Sequence, residues 1–99
     1  VTVTGYSPHD ENAVFLDPRH AYTRVEGPTP LDPQEGIVEH HLLADGQWCS
    51  GFVKFAQGPE RAAGEWTVES PNPLTLWPSI KCPDCGNHGY IEGGRWRSV

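Results

Sequence analysis

Apolar residues along this chain come in short runs separated by turn signals, and nowhere do they repeat at helical spacing over a useful length. The turns fall at Ser7-Pro8, Asp17-Pro18, Gly27-Pro28-Thr29-Pro30, Asp32-Pro33, Asp45-Gly46, Gly58-Pro59, Ser70-Pro71-Asn72-Pro73, Trp77-Pro78, Cys82-Pro83 and Glu92-Gly93-Gly94. Short apolar runs between turns spaced about every eight to twelve residues predict an all-β sandwich or barrel. Strands are expected near Ala13–Leu16, Ala21–Val25, Ile37–Leu43, Gln47–Ala56, Gly64–Glu69, Leu74–Trp77, Asn87–Ile91 and Arg95–Ser98. Asp45-Gly46 between two such runs is a strong hairpin signal, because glycine adopts positive φ at no steric cost. In the run after it, Trp48, Phe52 and Val53 do not share one parity, which predicts a bulge at Ser50-Gly51. A second hairpin should turn at Glu92-Gly93-Gly94, with Tyr90 facing opposite to Ile91 and Trp96 pointing to the covered face.

Composition sharpens this picture. Eleven Gly and ten Pro in 99 residues leave no run free of both longer than nine residues, shorter than an average helix. Pro59–Ala63, bracketed by Gly58 and Gly64, is therefore a loop, and Gly27–Gly36 reads as an extended surface loop within a single domain over residues 1–99. The fold class expected is mainly β: a small antiparallel sandwich or barrel with a zinc-knuckle-like C-terminal hairpin. So small a domain buries only about 60 to 65% of the surface its unfolded chain exposes, so a covalent or metal staple matters.

The net charge is −6, and all of the excess lies in residues 1–50, where eight acids face only Arg19 and Arg24. That weighs against direct nucleic-acid binding, which needs a basic face to displace phosphate counterions. It suits solubility or a basic partner. No membrane span can be drawn, and Val1–Gly5 carries neither a basic nor an apolar leader region, so a cytoplasmic location is expected.

The strongest chemical signal is Lys81-Cys82-Pro83-Asp84-Cys85-Gly86. Cys-Pro-x-Cys-Gly resembles the knuckle of zinc ribbons and rubredoxin-like sites, in which both sulfurs face one metal, backbone N–H groups donate to the sulfurs and glycine supplies positive φ. Tetrahedral zinc needs four ligands. The set expected is Cys49, Cys82, Cys85 and His88, with His40 or His41 replacing one of the last two if the turn points His88 away. Three thiolates and an imidazole make a closed site, structural rather than catalytic. On a strand His40 and His41 point to opposite faces, so at most one is a ligand and the other is expected to be solvated. His9 and His20 sit beside turns and read as surface residues. No hydrolase signature is present. Four tryptophans, Trp48, Trp66, Trp77 and Trp96, read chiefly as core, with Trp77 the candidate for an exposed anchor.

The last third also resembles a family of small uncharacterised proteins from bacteriophages and bacterial operons. The resemblance runs over residues 66 to 97: Trp66-Thr67-Val68, Pro73-Leu74-Thr75-Leu76-Trp77-Pro78-Ser79-Ile80, His88-Gly89-Tyr90-Ile91, the glycine turn and Trp96. It implies a phage-encoded or phage-derived compact β protein acting in the host cell cytoplasm. Without a catalytic motif, the activity expected is binding of a host protein, with zinc only holding the shape. A minor virion component and a metal- or cysteine-dependent hydrolase are the alternatives.

Overall fold

A computed structural model describes residues 13–25 and 35–99; His9 and most of the Gly27–Gly36 stretch lie outside them. The fold is all-β, and the described residues contain no helix, hence none long and apolar enough to cross a membrane. Among the described residues nine strands form: β1 (Val14–Asp17), β2 (His20–Val25), β3 (Gly36–Leu42), β4 (Trp48–Lys54), β5 (Thr67–Pro71), β6 (Leu74–Trp77), β7 (Ile80–Lys81), β8 (His88–Glu92) and β9 (Arg95–Ser98). The antiparallel sheet β1-β2-β3-β4 continues through one parallel bridge, Phe55 to Trp66, into the β5-β6 hairpin, which makes a curled half-barrel of six strands. A separate sheet, β7-β8-β9, packs against it through β6 and β8 and carries the knuckle.

Period-two burial explains the core. Ile37 and Val53 are opposite each other on β3 and β4 and are almost wholly buried. They join Leu16, Tyr22 and Phe55 from the large sheet, Leu74 and Leu76 from β6, and Ile80 and Ile91 from the small sheet. One apolar cluster thus spans both sheets, and Trp66, Val68 and Trp96 pack on its rim. Ile91 is opposite Trp96, and Tyr90 is opposite Arg97 on the other face, as the alternation predicts. The Pro59–Ala63 segment is a loop.

Two expectations are corrected. The pairing of β3 with β4 runs without a break from Gly36/Lys54 to Leu42/Trp48, so no bulge lies at Ser50-Gly51. The mixed parity arises because Phe52 is 53% exposed, on the face opposite Val53. Ile80–Lys81 forms a strand that the sequence reading leaves out, two residues pressed between Pro78 and Pro83. Trp77 is half exposed, with the Arg61 guanidinium 5.2 Å from its ring centre; Trp48, Trp66 and Trp96 are half-buried.

Candidate metal centre

The centre is assembled where the β3-β4 hairpin meets the knuckle. The Asp45-Gly46 turn contains three loop residues: Leu43 N–H donates to Gln47 O (2.7 Å), Gly46 N–H to Leu43 O (3.0 Å), and Gly46 has φ 87°. That closure sets the register in which His41 lies opposite Cys49. Directly opposite residues share a face, so an imidazole and a thiol leave the sheet side by side. After β7 the chain turns through Cys82-Pro83-Asp84-Cys85. Gly86 N–H donates to Cys82 O (2.9 Å), Cys82 N–H donates to Asn87 O (2.8 Å), and Gly86 takes φ 79°, a conformation that strains any residue with a β-carbon.

These two pieces bring the ligand atoms of His41, Cys49, Cys82 and Cys85 within 4.8 Å of one another, an arrangement that can hold a metal ion. Cys49 Sγ and Cys82 Sγ are 3.7 Å apart. A disulfide needs about 2.05 Å, whereas two sulfurs about 2.3 Å from one tetrahedral ion stand roughly 3.8 Å apart. His41 Nε2 lies 3.0 Å from Cys85 Sγ. His41 and Cys49 are buried, Cys82 is half-buried and Cys85 is exposed at the tip of the turn.

His88 is elsewhere. Its Nε2 lies 2.8 Å from Ser79 Oγ, and it sits opposite Lys81 on the small sheet, outside the cluster. His40 is also not solvated: it is wholly buried on the opposite face of β3, with Nδ1 2.8 Å from Ser50 Oγ and Nε2 3.0 Å from Thr23 Oγ1. His20 is likewise no surface residue. It is 9% exposed, stacks on Trp96 with ring centres 4.4 Å apart, and places Nδ1 2.9 Å from Asp17 and Nε2 3.3 Å from Asn87 Oδ1.

One residue that sequence reasoning overlooks is Glu39. It precedes His41 by two positions on β3 and so shares its face, and it is 3% exposed. Both carboxylate oxygens accept from His41 Nδ1, at 2.9 and 3.0 Å. That bond puts the proton on Nδ1 and turns Nε2 toward the sulfurs, the outer carboxylate-to-histidine arrangement that orients metal ligands. The signal in the sequence was an acid at the i−2 position of an apolar strand, where an unpaired charge would be costly.

The electrostatics suit ligation. Burial on its own would push the Cys82 thiol up, but the backbone N–H groups of Cys85 and Asp84, with the neighbouring Cys85 and Cys49 thiols, bring it below its ordinary value. Stabilised sulfur anions are what a metal requires. For His41, burial alone would lower the pKa; the hydrogen bond and negative charge of Glu39, helped by Cys85, override it and raise the metal-free imidazole to about 9. A raised folded pKa stabilises the metal-free fold fully below the ordinary value of 6.5 and loses that contribution as pH rises through about 9. Metal has the opposite requirement, since it must displace the Nε2 proton. The His41 ring signals in an NMR titration should therefore move near pH 9 in metal-free protein and stop titrating once zinc is added. Titration unchanged by zinc would contradict ligation.

Neither a protein-family model, nor a curated protein, nor a solved structure matches the chain.

Proposed function

We propose that this chain is a zinc-stapled β domain that works by binding another protein; in the phage setting its C-terminal motif suggests, that partner is a host protein. The observation that supports the reading is the closed S₃N donor set, with two ligands from the large sheet and two from the knuckle beside β7. Four protein ligands fill a tetrahedron and leave no position for a substrate, so the ion cross-links rather than catalyses. Zinc is the fitting ion, because three thiolates and an imidazole in a tetrahedral array match its preference among divalent metals.

Among the described pairs of a hydroxyl or thiol beside an imidazole, Ser50 Oγ with His40 Nδ1 is sealed inside the sheet, Ser79 Oγ with His88 Nε2 lies on the small sheet, and Cys85 Sγ with His41 Nε2 is taken up by the metal in this reading. Exposed aromatics supply contact surface instead: Phe52, Trp77 and Phe15 are each between 43% and 53% exposed. The acidic surplus of the first half supplies long-range attraction for a basic partner. The test is affinity capture from host cells, with zinc measured on the same sample. A stoichiometric partner on zinc-loaded protein is the expected result. Capture of nothing, together with self-assembly at micromolar concentration, would favour the virion-component alternative.

A further inference from the structure

Across the β3-β4 hairpin Glu39 lies opposite Gly51, on the face that also carries His41 and Cys49. Gly51 is not among the glycines with positive φ, and a β-carbon built there would meet no atom within 4 Å. The place where a strand side chain would stand is left open as a cavity of about 70 Å³. Glu39 forms part of its lining together with Val53, Trp66, Ile80 and Pro83. That space is several times what one water needs, enough for the tail of a long side chain.

The carboxylate in this cavity is under-used. A carboxylate offers about four acceptor sites, yet both Glu39 oxygens share the single Nδ1–H of His41. Further donors are therefore favourable, and a buried acceptor without them is costly. Charge points the same way: with zinc in place, three thiolates and Glu39 outweigh the divalent ion, in a chain whose net charge is −6.

We propose that this cavity receives the ammonium group of a lysine side chain from a partner protein. The apolar lining takes the methylene stem, and the Glu39 carboxylate takes the charged head in a charge-assisted hydrogen bond. The inference rests on the reading of the chain as a zinc-stapled binding domain, because Pro83 of the knuckle is one wall and the thiolates supply much of the field. The protein's own Lys81 also lines the cavity and is exposed, so it stands at the opening as an internal competitor.

The probe is Nα-acetyl-lysine amide, titrated into zinc-loaded protein against Nα-acetyl-norleucine amide, which has the stem without the charge. Backbone NMR signals of Gly51 and the indole signal of Trp66 report occupancy. Saturable shifts are expected with the lysine derivative, with the norleucine derivative weaker by about tenfold or more, the worth of one charge-assisted hydrogen bond. Gly51→Val fills the cavity from the strand opposite and replaces neither Glu39 nor any ligand of the centre, although Glu39, His41 and Cys82 line the same space. It should keep its zinc and its melting temperature while weakening lysine binding by a similar factor. Lys81→Ala should tighten it. Zinc-loaded protein that ignores the lysine derivative, equal response to both probes, or unchanged binding by Gly51→Val would each overturn the proposal. Zinc is measured on the same sample, so failure of the staple shows as missing metal, whereas failure of the lysine pocket shows as loaded protein that does not bind.

Discussion

Cys49→Ala should lose stoichiometric zinc and melt at least about 16 °C below the parent protein. Cys49 is the buried donor that the large sheet contributes beside His41 to the proposed centre. With zinc bound as proposed, removing it would open the tetrahedron and release the β3-β4 hairpin from the knuckle. Structural zinc sites carry on the order of 10 kcal/mol of binding free energy at neutral pH, whereas whole domains are stable by about 5 to 15 kcal/mol. Losing even about 4 kcal/mol lowers the melting temperature of a domain this size by roughly 16 to 32 °C. Thermal unfolding followed by circular dichroism, with and without a chelator, checks this. A Cys49→Ala variant melting within a few degrees of the parent would mean that the apolar cluster holds the two sheets together unaided.

His41→Ala should weaken zinc binding by about a hundredfold or more, and Glu39→Gln by about 10- to 100-fold, the usual cost of losing an outer carboxylate on a ligating histidine. His88→Ala should leave zinc affinity unchanged, because His88 Nε2 is engaged by Ser79 Oγ away from the cluster. Competition titration with a chromophoric chelator separates the three variants. The opposite order, with His88→Ala weak and His41→Ala unaffected, would restore the ligand set that the local sequence favours and refute the one the fold assembles.

That contrast shows what could and could not be read from residues alone. The Cys82-Pro-Asp-Cys85-Gly turn was legible because its chemistry is local: the glycine conformation and the backbone donors to sulfur lie within five residues. Most strands were legible for the same reason, as runs between turn formers. The choice among His88, His40 and His41 was not, because the face that each of the last two shares depends on one residue of loop length. Had Asp45-Gly46 closed as a two-residue turn pairing Ala44 with Gln47, His40 would have shared the face of Cys49. The three-residue turn that forms instead pairs Leu43 with Gln47 through the 2.7 Å bond and places His41 there. The two closures differ by little in the sequence and reverse every side chain of the strand.

Burial on both faces was equally out of reach. Alternation along Ile37–Leu42 reads as one covered and one wet face, yet His40 and His41 are both buried. The wet-face expectation fails because Thr23 and Ser50, from the strands on either side, satisfy both ring nitrogens of His40. A polar residue with both nitrogens paired can be enclosed at small cost, whereas an unpaired one cannot. His20 follows the same rule through its neighbour Asp17 and through Asn87 and the face of Trp96, both more than sixty residues further along the chain.

X-ray absorption at the zinc edge on protein expressed in bacteria, together with elemental analysis, tests the metal cross-link itself. One zinc per chain is expected, with three sulfurs at about 2.3 Å and one nitrogen at about 2.0 to 2.1 Å. Less than about a tenth of an equivalent of zinc, or a coordination sphere with an oxygen in place of a sulfur, would contradict it.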